Sequence, residues 1–303
     1  MSAVDVAISA LRSVEPEDLR VLRAIEELMT SYEHVPVEAL RRASGLHPKE
    51  LSYRLGRLHA FGLIRRWTGP YTGYTLRVAG HDLLALNALV RSGVLEAFGK
   101  PLGVGKEADV YDALTPGGRR VAVKFHRLGR VSFRQTKRLR GYGAEGVWAD
   151  WYIRSRTAAK REFEALGLAY SAGVSVPEPL ARNRHVVVMG MIEGVELAEV
   201  AELPDPADTL LEVLTNVRKA YLRAGIIHAD LSEFNIIIRP DASILIIDWP
   251  QFVHKDHPNA RELLRRDVEN VLKFFRRKFG LAVDASSALG FVIGSLGYLP
   301  GLT

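Results

Sequence analysis

The 303-residue chain contains no cysteine, which excludes a disulfide framework, a thiol nucleophile and any cysteine-ligated zinc site. Long hydrophobic runs are missing too, and no stretch approaches the roughly 18 apolar residues that a membrane span requires. The opening MSAVDVAISALRSVEPEDLR has no basic segment followed by an apolar core, so no secretory leader is expected. The sequence reads as a soluble, cytoplasmic protein with no membrane and no disulfide partner. Charge of one sign is also scarce: 41 basic against 35 acidic residues leave a net +6, so its distribution matters more than its sum.

What is present is an ordinary globular composition, 48% hydrophobic and 25% charged, with enough chain for two domains. The basic excess is concentrated. Ala39 to Val78 holds eight Lys/Arg and one acid, Glu50, and Lys124 to Arg140 holds seven and none. These are the two segments to search for phosphate contacts.

In the front third, Leu19, Leu22, Ile25, Leu28 and Met29 recur at helical spacing between Asp18 and Tyr32. Pro36 opens a short helix that stops at Ser44-Gly45, and His47-Pro48 opens another that runs to Gly62. Leu63 to Trp67, a turn through Gly69-Pro70 and Tyr74 to Val78 predict a hairpin, followed by a helix from His81 to Arg91. Helices plus a hairpin describe a winged helix over residues 1–92. Lys49, Ser52, Tyr53, Arg54 and Arg57 are placed on its exposed helix, and Arg65, Arg66 and Tyr71 on the wing. There they would suit nucleic-acid binding or form a solvated face for protein contacts.

From about Gly93 strands alternate with helices. Gly103-Val104-Gly105-Lys106-Glu107-Ala108-Asp109-Val110 is a glycine-rich loop, weak evidence alone. Val121-Ala122-Val123-Lys124 follows, and a lysine on a central strand must pair with an anion or face a cavity. In the predicted helix Arg156 to Leu168, Glu162 is the better partner and Glu164 lies on another face. His228-Ala229-Asp230-Leu231-Ser232-Glu233-Phe234-Asn235, between apolar runs, matches the H-x-D-L-x-x-x-N catalytic loop. Thirteen residues on, Ile244-Leu245-Ile246-Ile247-Asp248 delivers a second carboxylate. In that template Lys124 neutralises phosphate, Asp230 orients or deprotonates an acceptor, and Asn235 and Asp248 hold Mg²⁺. His228 is expected to be a hydrogen-bonded core residue. Val186 to Met189 leads into Gly190-Met191-Ile192 at the position of a lobe-connecting hinge, where backbone at Gly190 and Ile192 would meet adenine. Met189 and Ile247 are further pocket candidates.

Taken together these strings resemble the RIO family of atypical serine/threonine protein kinases, and the leading winged helix resembles its second subfamily. The match extends over essentially the whole chain. It implies an α+β fold, a winged helix (1–92) before a bilobal, truncated kinase-like RIO domain (93–303), with the N-lobe at about 93–190 and the C-lobe at about 191–303. The implied ligands are ATP and Mg²⁺, with Mn²⁺ as a substitute. Gly103, Val104, Gly105, Lys106, Glu107, Val110, Lys124, Glu162, Met189, Gly190, Ile192 and Ile247 would surround the nucleotide. The implied role is a kinase or ATPase that phosphorylates itself and acts in maturation of the small ribosomal subunit, with the pre-ribosomal particle and its rRNA as partners.

Departures from ordinary protein kinases accompany the match. Ala108 replaces the third loop glycine, Ala229 the arginine of H-R-D, and Trp249-Pro250 replaces Phe-Gly. After Asp248 only 55 residues follow, 303 minus 248, so no peptide-docking lobe is expected. The resemblance implies a flexible loop between Lys124 and Glu162, where Ser132 and Thr136 are candidate autophosphorylation sites. Asp248 is a third candidate, as a transient phosphoryl acceptor. Two other readings remain: a small-molecule phosphotransferase of the aminoglycoside or choline kinase type, and a nucleotide-sensing, nucleic-acid-binding regulator.

Overall fold

The structure, a computed structural model, describes residues 1–129 and 147–301. Ser132, Thr136 and most of the second basic segment lie outside the described residues. Two compact units are formed: described residues of 1–157 with 182–186, and 158–181 with 187–301.

The first unit begins with α1 (Ala3–Leu11), α2 (Pro16–Leu28), the short β1 (Val35–Pro36), α3 (Val37–Ser44) and α4 (Pro48–Ala60). Local chemistry sets these boundaries. Ser2 and Asp5 form a capping box on α1, and Pro16 and Pro48 occupy first-turn positions of α2 and α4. Gly45 ends α3 at a φ of 66°, a left-handed conformation that glycine adopts without penalty. The hairpin β2 (Ile64–Thr68) and β3 (Thr72–Leu76) pairs antiparallel, and β1 adds a third strand against β3. α5 (Val78–Arg91) follows and packs on α1. The winged helix expected from sequence is present, with α1 and β1 as additions that the apolar spacing did not reveal.

The same unit continues with an antiparallel meander of β4 (Ala97–Val104), β5 (Ala108–Leu114) and β6 (Arg120–His126). Tyr111 on β5 is buried, and its hydroxyl lies 2.7 Å from Ser2 Oγ and donates to Asp5 Oδ1 at 3.1 Å. Helices and meander therefore share a core.

The helix α6 spans Val147–Ser171, longer at both ends than its apolar spacing suggested, and its residues from 158 onward belong to the second unit. Next come β7 (Pro179–Asn183) and β8 (Val186–Gly190), whose residues 182–186 belong to the first unit, then β9 (Val195–Glu196) and α7 (Pro206–Lys219). A π-helical turn at Ala220–Ala224 closes on Gly225, and β10 (Ile226–Ile227) follows. The hairpin β11 (Ile236–Ile238) and β12 (Ile244–Ile246) pairs Ile236 with Ile246, and β9 lies on the other side of β11. β13 (Val253–His254), α8 (Ala260–Phe279) and α9 (Ala285–Ile293) complete the unit. Among the described residues no helix is long and apolar enough to cross a membrane.

Candidate active site

In the first unit the glycine-rich segment is the β4–β5 turn. The Gly105 N–H donates to Ala108 O at 2.8 Å, which exposes Lys106 and Glu107 at the tip. A Cβ added to Gly103 would meet no described atom within 4 Å, and its φ is not left-handed. Neither packing nor conformation calls for glycine there, and the open space leaves the backbone approachable. Val110 faces Lys124 in the β5–β6 register, which fixes the lysine beside the loop. Lys124 is half-buried.

In the second unit the catalytic loop joins β10 to β11, and Asp248 lies just beyond β12. Asp230 is exposed at the rim. The Asn235 Nδ2 donates to Asp230 O at 2.8 Å, and Asn235 O accepts the Ile247 N–H at 2.9 Å. One residue thus ties the loop of Asp230 to the residue preceding Asp248. His228 is buried and donates its Nε2–H to Ile247 O at 2.9 Å, while its ring lies 4.6 Å from that of Trp249. Burial holds its pKa below the usual imidazole value, offset only in part by that hydrogen bond, so it is the expected neutral core histidine.

Ala229 and Asp248 both have a φ of 65°. Left-handed backbone is costly for a non-glycine residue, and such strain clusters at functional sites. α8 supplies the restraint. Asp267, 1% exposed, accepts the Ala229 N–H at 2.7 Å and the Leu231 N–H at 3.0 Å. Arg266 donates to Ala229 O, and Asn270 Nδ2 donates to Leu231 O at 3.2 Å. Sequence reasoning did not assign these three residues. The available signal was an acid among the apolar positions of an amphipathic helix.

A second clamp holds the segment after Asp248. Arg161 on α6 donates its Nε–H to Pro250 O at 2.8 Å, bonds Phe252 O, and stacks over the Phe252 ring. Its neighbour Glu162 is buried. At the expected hinge Met189 is buried, and Ile192 and Ile247 are half-buried. The Gly190 N–H donates to Glu178 O at 2.8 Å. That donor is committed within the fold, so an adenine contact at Gly190 falls to its carbonyl.

The winged-helix arginines require a correction. Arg54, expected on an exposed face, has a side chain 9% exposed and pairs with Glu15 at 2.7 Å, Glu50 at 2.6 Å and Asp18 at 3.5 Å. Arg57 pairs with Glu15 at 2.9 Å and Asp18 at 3.2 Å and bonds Ser13 O. Both are consumed by carboxylates at the start of α2 and present little charge to a phosphate. Lys49, Ser52, Tyr53, Arg65 and Arg66 are exposed as expected.

Comparison with known proteins places this geometry. A family profile described as the RIO domain matches residues 109–288, and one described as Rio2, N-terminal, matches residues 11–92. The RIO-type serine/threonine-protein kinase Rio2 of Methanocaldococcus jannaschii is 42% identical over 254 residues, 82% of this chain and 92% of that protein. Serine/threonine-protein kinase rio2 of Schizosaccharomyces pombe is 35% identical over 277 residues, covering 91% and 80%. The crystal structure of the Rio2 kinase–ADP/Mg²⁺–phosphoaspartate complex from Chaetomium thermophilum superimposes with a TM-score of 0.81 at 31% identity, covering 97% of this chain and 94% of that one. The leading winged helix, the RIO domain behind it and the loop that joins Asp230 to Asp248 thus carry one assignment: the chain belongs to the RIO family of serine/threonine protein kinases, in its Rio2 branch.

Proposed function

We propose that this protein is an ATP- and Mg²⁺-dependent kinase or ATPase that phosphorylates itself and works in maturation of the small ribosomal subunit. The observation that carries the chemical part is the pair of bonds from Asn235, through Nδ2 to Asp230 O and through its carbonyl to Ile247 N–H. They hold the acceptor-side carboxylate and the approach to Asp248 as one piece.

The donor set fits Mg²⁺. Asp248 offers a carboxylate, and Asn235, whose nitrogen end is taken by Asp230 O, presents its amide oxygen; both are hard ligands. Among the described residues no group of three acidic, histidine or cysteine side chains could hold a metal alone. Mn²⁺ would be accepted by the same two oxygen donors. Mg²⁺ supplies neutralisation of phosphate charge when bound. In the first unit Lys124 and the Gly103–Val110 loop are assigned to the phosphates, and in the second unit Met189, Gly190, Ile192 and Ile247 are assigned to the base.

Asp230 orients an acceptor hydroxyl and takes its proton as the new oxygen–phosphorus bond forms and the bond to ADP breaks. The phosphoaspartate of the Chaetomium complex supports a second acceptor here, the Asp248 carboxylate. Its oxygen would take the phosphoryl group as an acyl phosphate with release of ADP, and water would later return phosphate. Docking on the pre-ribosomal particle and its rRNA is assigned to Lys49, Arg65 and Arg66, which are exposed.

Incubation with γ-labelled ATP and Mg²⁺ tests this reading. Label on the protein that Asp230→Ala abolishes supports it, and a hydroxylamine-labile fraction lost in Asp248→Asn identifies the acyl phosphate. Label found only on an added aminoglycoside or choline, or tight ATP binding without turnover, overturns it.

A further inference from the structure

Arg127, just after β6, is buried in the first unit with a side chain 2% exposed. Its Nη1 and Nη2 donate to the two carboxylate oxygens of Asp82 at 2.8 and 2.7 Å, and its Nε donates to Asp109 Oδ2 at 3.0 Å. Asp82 lies on α5 of the winged helix; Asp109 is the second residue of β5, directly behind the glycine-rich turn. Neither aspartate is exposed. The Arg127 N–H also donates to Glu107 O at 2.6 Å, within the turn itself. His185 closes the cluster, with Nε2 2.8 Å from Asp82 Oδ1 and its carbonyl accepting the His126 N–H at 3.0 Å.

Apolar side chains of similar volume would join a helix to a sheet at equal or lower cost, because removing three charges from water is expensive. What the guanidinium fork supplies is direction: its fixed donors permit one arrangement of Asp82 relative to Asp109, and the main-chain N–H of the same residue holds Glu107 O. Lys124 lies on β6 three residues before Arg127, so the end of that strand and the glycine-rich turn are both referenced to one residue.

We propose that Arg127 is a positioning residue for the nucleotide, and that through Asp82 the winged helix is a structural part of the ATP site rather than a separable docking module. This rests on the reading of Gly103–Val110 as the phosphate loop. A loop held in its ligand-bound shape spares ATP the entropy of ordering it, so loosening the fork weakens nucleotide binding more than it slows transfer.

The test measures KM for ATP and kcat in the full chain for Arg127→Lys, Asp82→Asn and their double variant. Leu86→Ala, a buried α5 position outside the fork, serves as a stability control, and Gly103→Val probes the loop. Arg127→Lys and Asp82→Asn are each expected to raise KM about tenfold with kcat within about twofold, and the double variant to be no worse than the weaker single. Leu86→Ala is expected to lower the thermal midpoint and leave KM alone. Gly103→Val raising KM while both fork variants keep the wild-type value overturns the coupling and keeps the loop reading. Unchanged KM in Gly103→Val overturns that reading and the proposal with it. A rise in Leu86→Ala as large as in Asp82→Asn overturns the proposal, because general loosening of the helix then accounts for it.

Discussion

The Asp267 carboxylate on α8 accepts the backbone N–H of Ala229 at 2.7 Å, thirty-eight residues earlier in the chain. Ala229 immediately precedes Asp230, and its φ of 65° sends the chain through a conformation that residues with a Cβ avoid. A buried acid that gathers the N–H groups of Ala229 and Leu231 holds Asp230 at the rim between two fixed points. The loop's apparent simplicity in sequence conceals this dependence on a distant helix.

The first prediction concerns pH. Burial pushes the Asp267 carboxyl up to about 6 from its ordinary 3.8, against the opposing pull of the Leu231 and Ala229 N–H groups. Between those values the native state keeps a proton that the unfolded chain has released, so this group's stabilising contribution is present at low pH and is lost as pH rises through about 6. Activity moves the other way, because a protonated carboxyl has given up one acceptor for the loop. Asp267→Asn is expected to lower kcat at least tenfold and to remove an acid limb near pH 6 from the rate profile. The thermal midpoint of the wild type relative to the variant should fall between pH 4 and 6, by an amount on the order of 3 kcal/mol in stability. An unchanged acid limb in the variant would assign that limb to another group.

The second concerns backbone strain. Ala229 in the left-handed region costs about 1–2 kcal/mol. Ala229→Gly relieves that and loses roughly 0.5–1 kcal/mol of unfolded-state restriction, so its thermal midpoint should equal or slightly exceed that of the wild type. Ala229→Val places a β-branched residue where φ is positive and should lower the midpoint by several degrees. Calorimetry of the two variants separates the signs, and a lowered midpoint in Ala229→Gly would contradict the strain assignment.

Arg54 and Arg66 should behave as opposites although both are arginines of one basic segment. Arg54→Ala takes from the fully buried Asp18 one of the two arginines paired with it and leaves it Arg57 and the Glu15 N–H, and should destabilise the fold by about 3 kcal/mol. Arg65→Ala with Arg66→Ala should leave the thermal midpoint within about a degree. It should weaken rRNA binding and reduce the slope of log affinity against log salt by about one per residue. Salt-titrated binding together with thermal melts checks both halves.

That contrast also shows what was readable from the chain. Helices, hairpin and strands followed from apolar spacing and from proline and glycine placement, because those signals act within a few residues. The family was readable because Lys124, Asp230, Asn235 and Asp248 each lie in a short string, and the order of those strings carries the resemblance. Arg54 was misread because its partner Glu15 stands thirty-nine residues away, and one-sided local charge cannot reveal a distant carboxylate. Asp267 and Asp82 escaped notice for the same reason. A polar group on an amphipathic helix declares a role only when the fold brings its partner to it.

The link between β8 and β9 yields the last prediction. Gly194 has a φ of 133°, and a Cβ there would lie 2.2 Å from the backbone oxygen of Ile238 and 2.8 Å from the Ile237 side chain. The next residue, Val195, pairs with Ile238 across the β9–β11 ladder, so the obstructing atom is main chain and cannot rotate away. Relief requires β9 to leave β11, and β11 is the strand that Asn235 enters. Gly194→Ala should therefore lower the thermal midpoint by several degrees and reduce kcat together with it, whereas Gly167→Ala, at a helical position where an added Cβ meets nothing within 4 Å, should hold or raise the midpoint. If Gly194→Ala melts like the wild type, β9 can shift without cost, and the strand is not part of what fixes the catalytic loop.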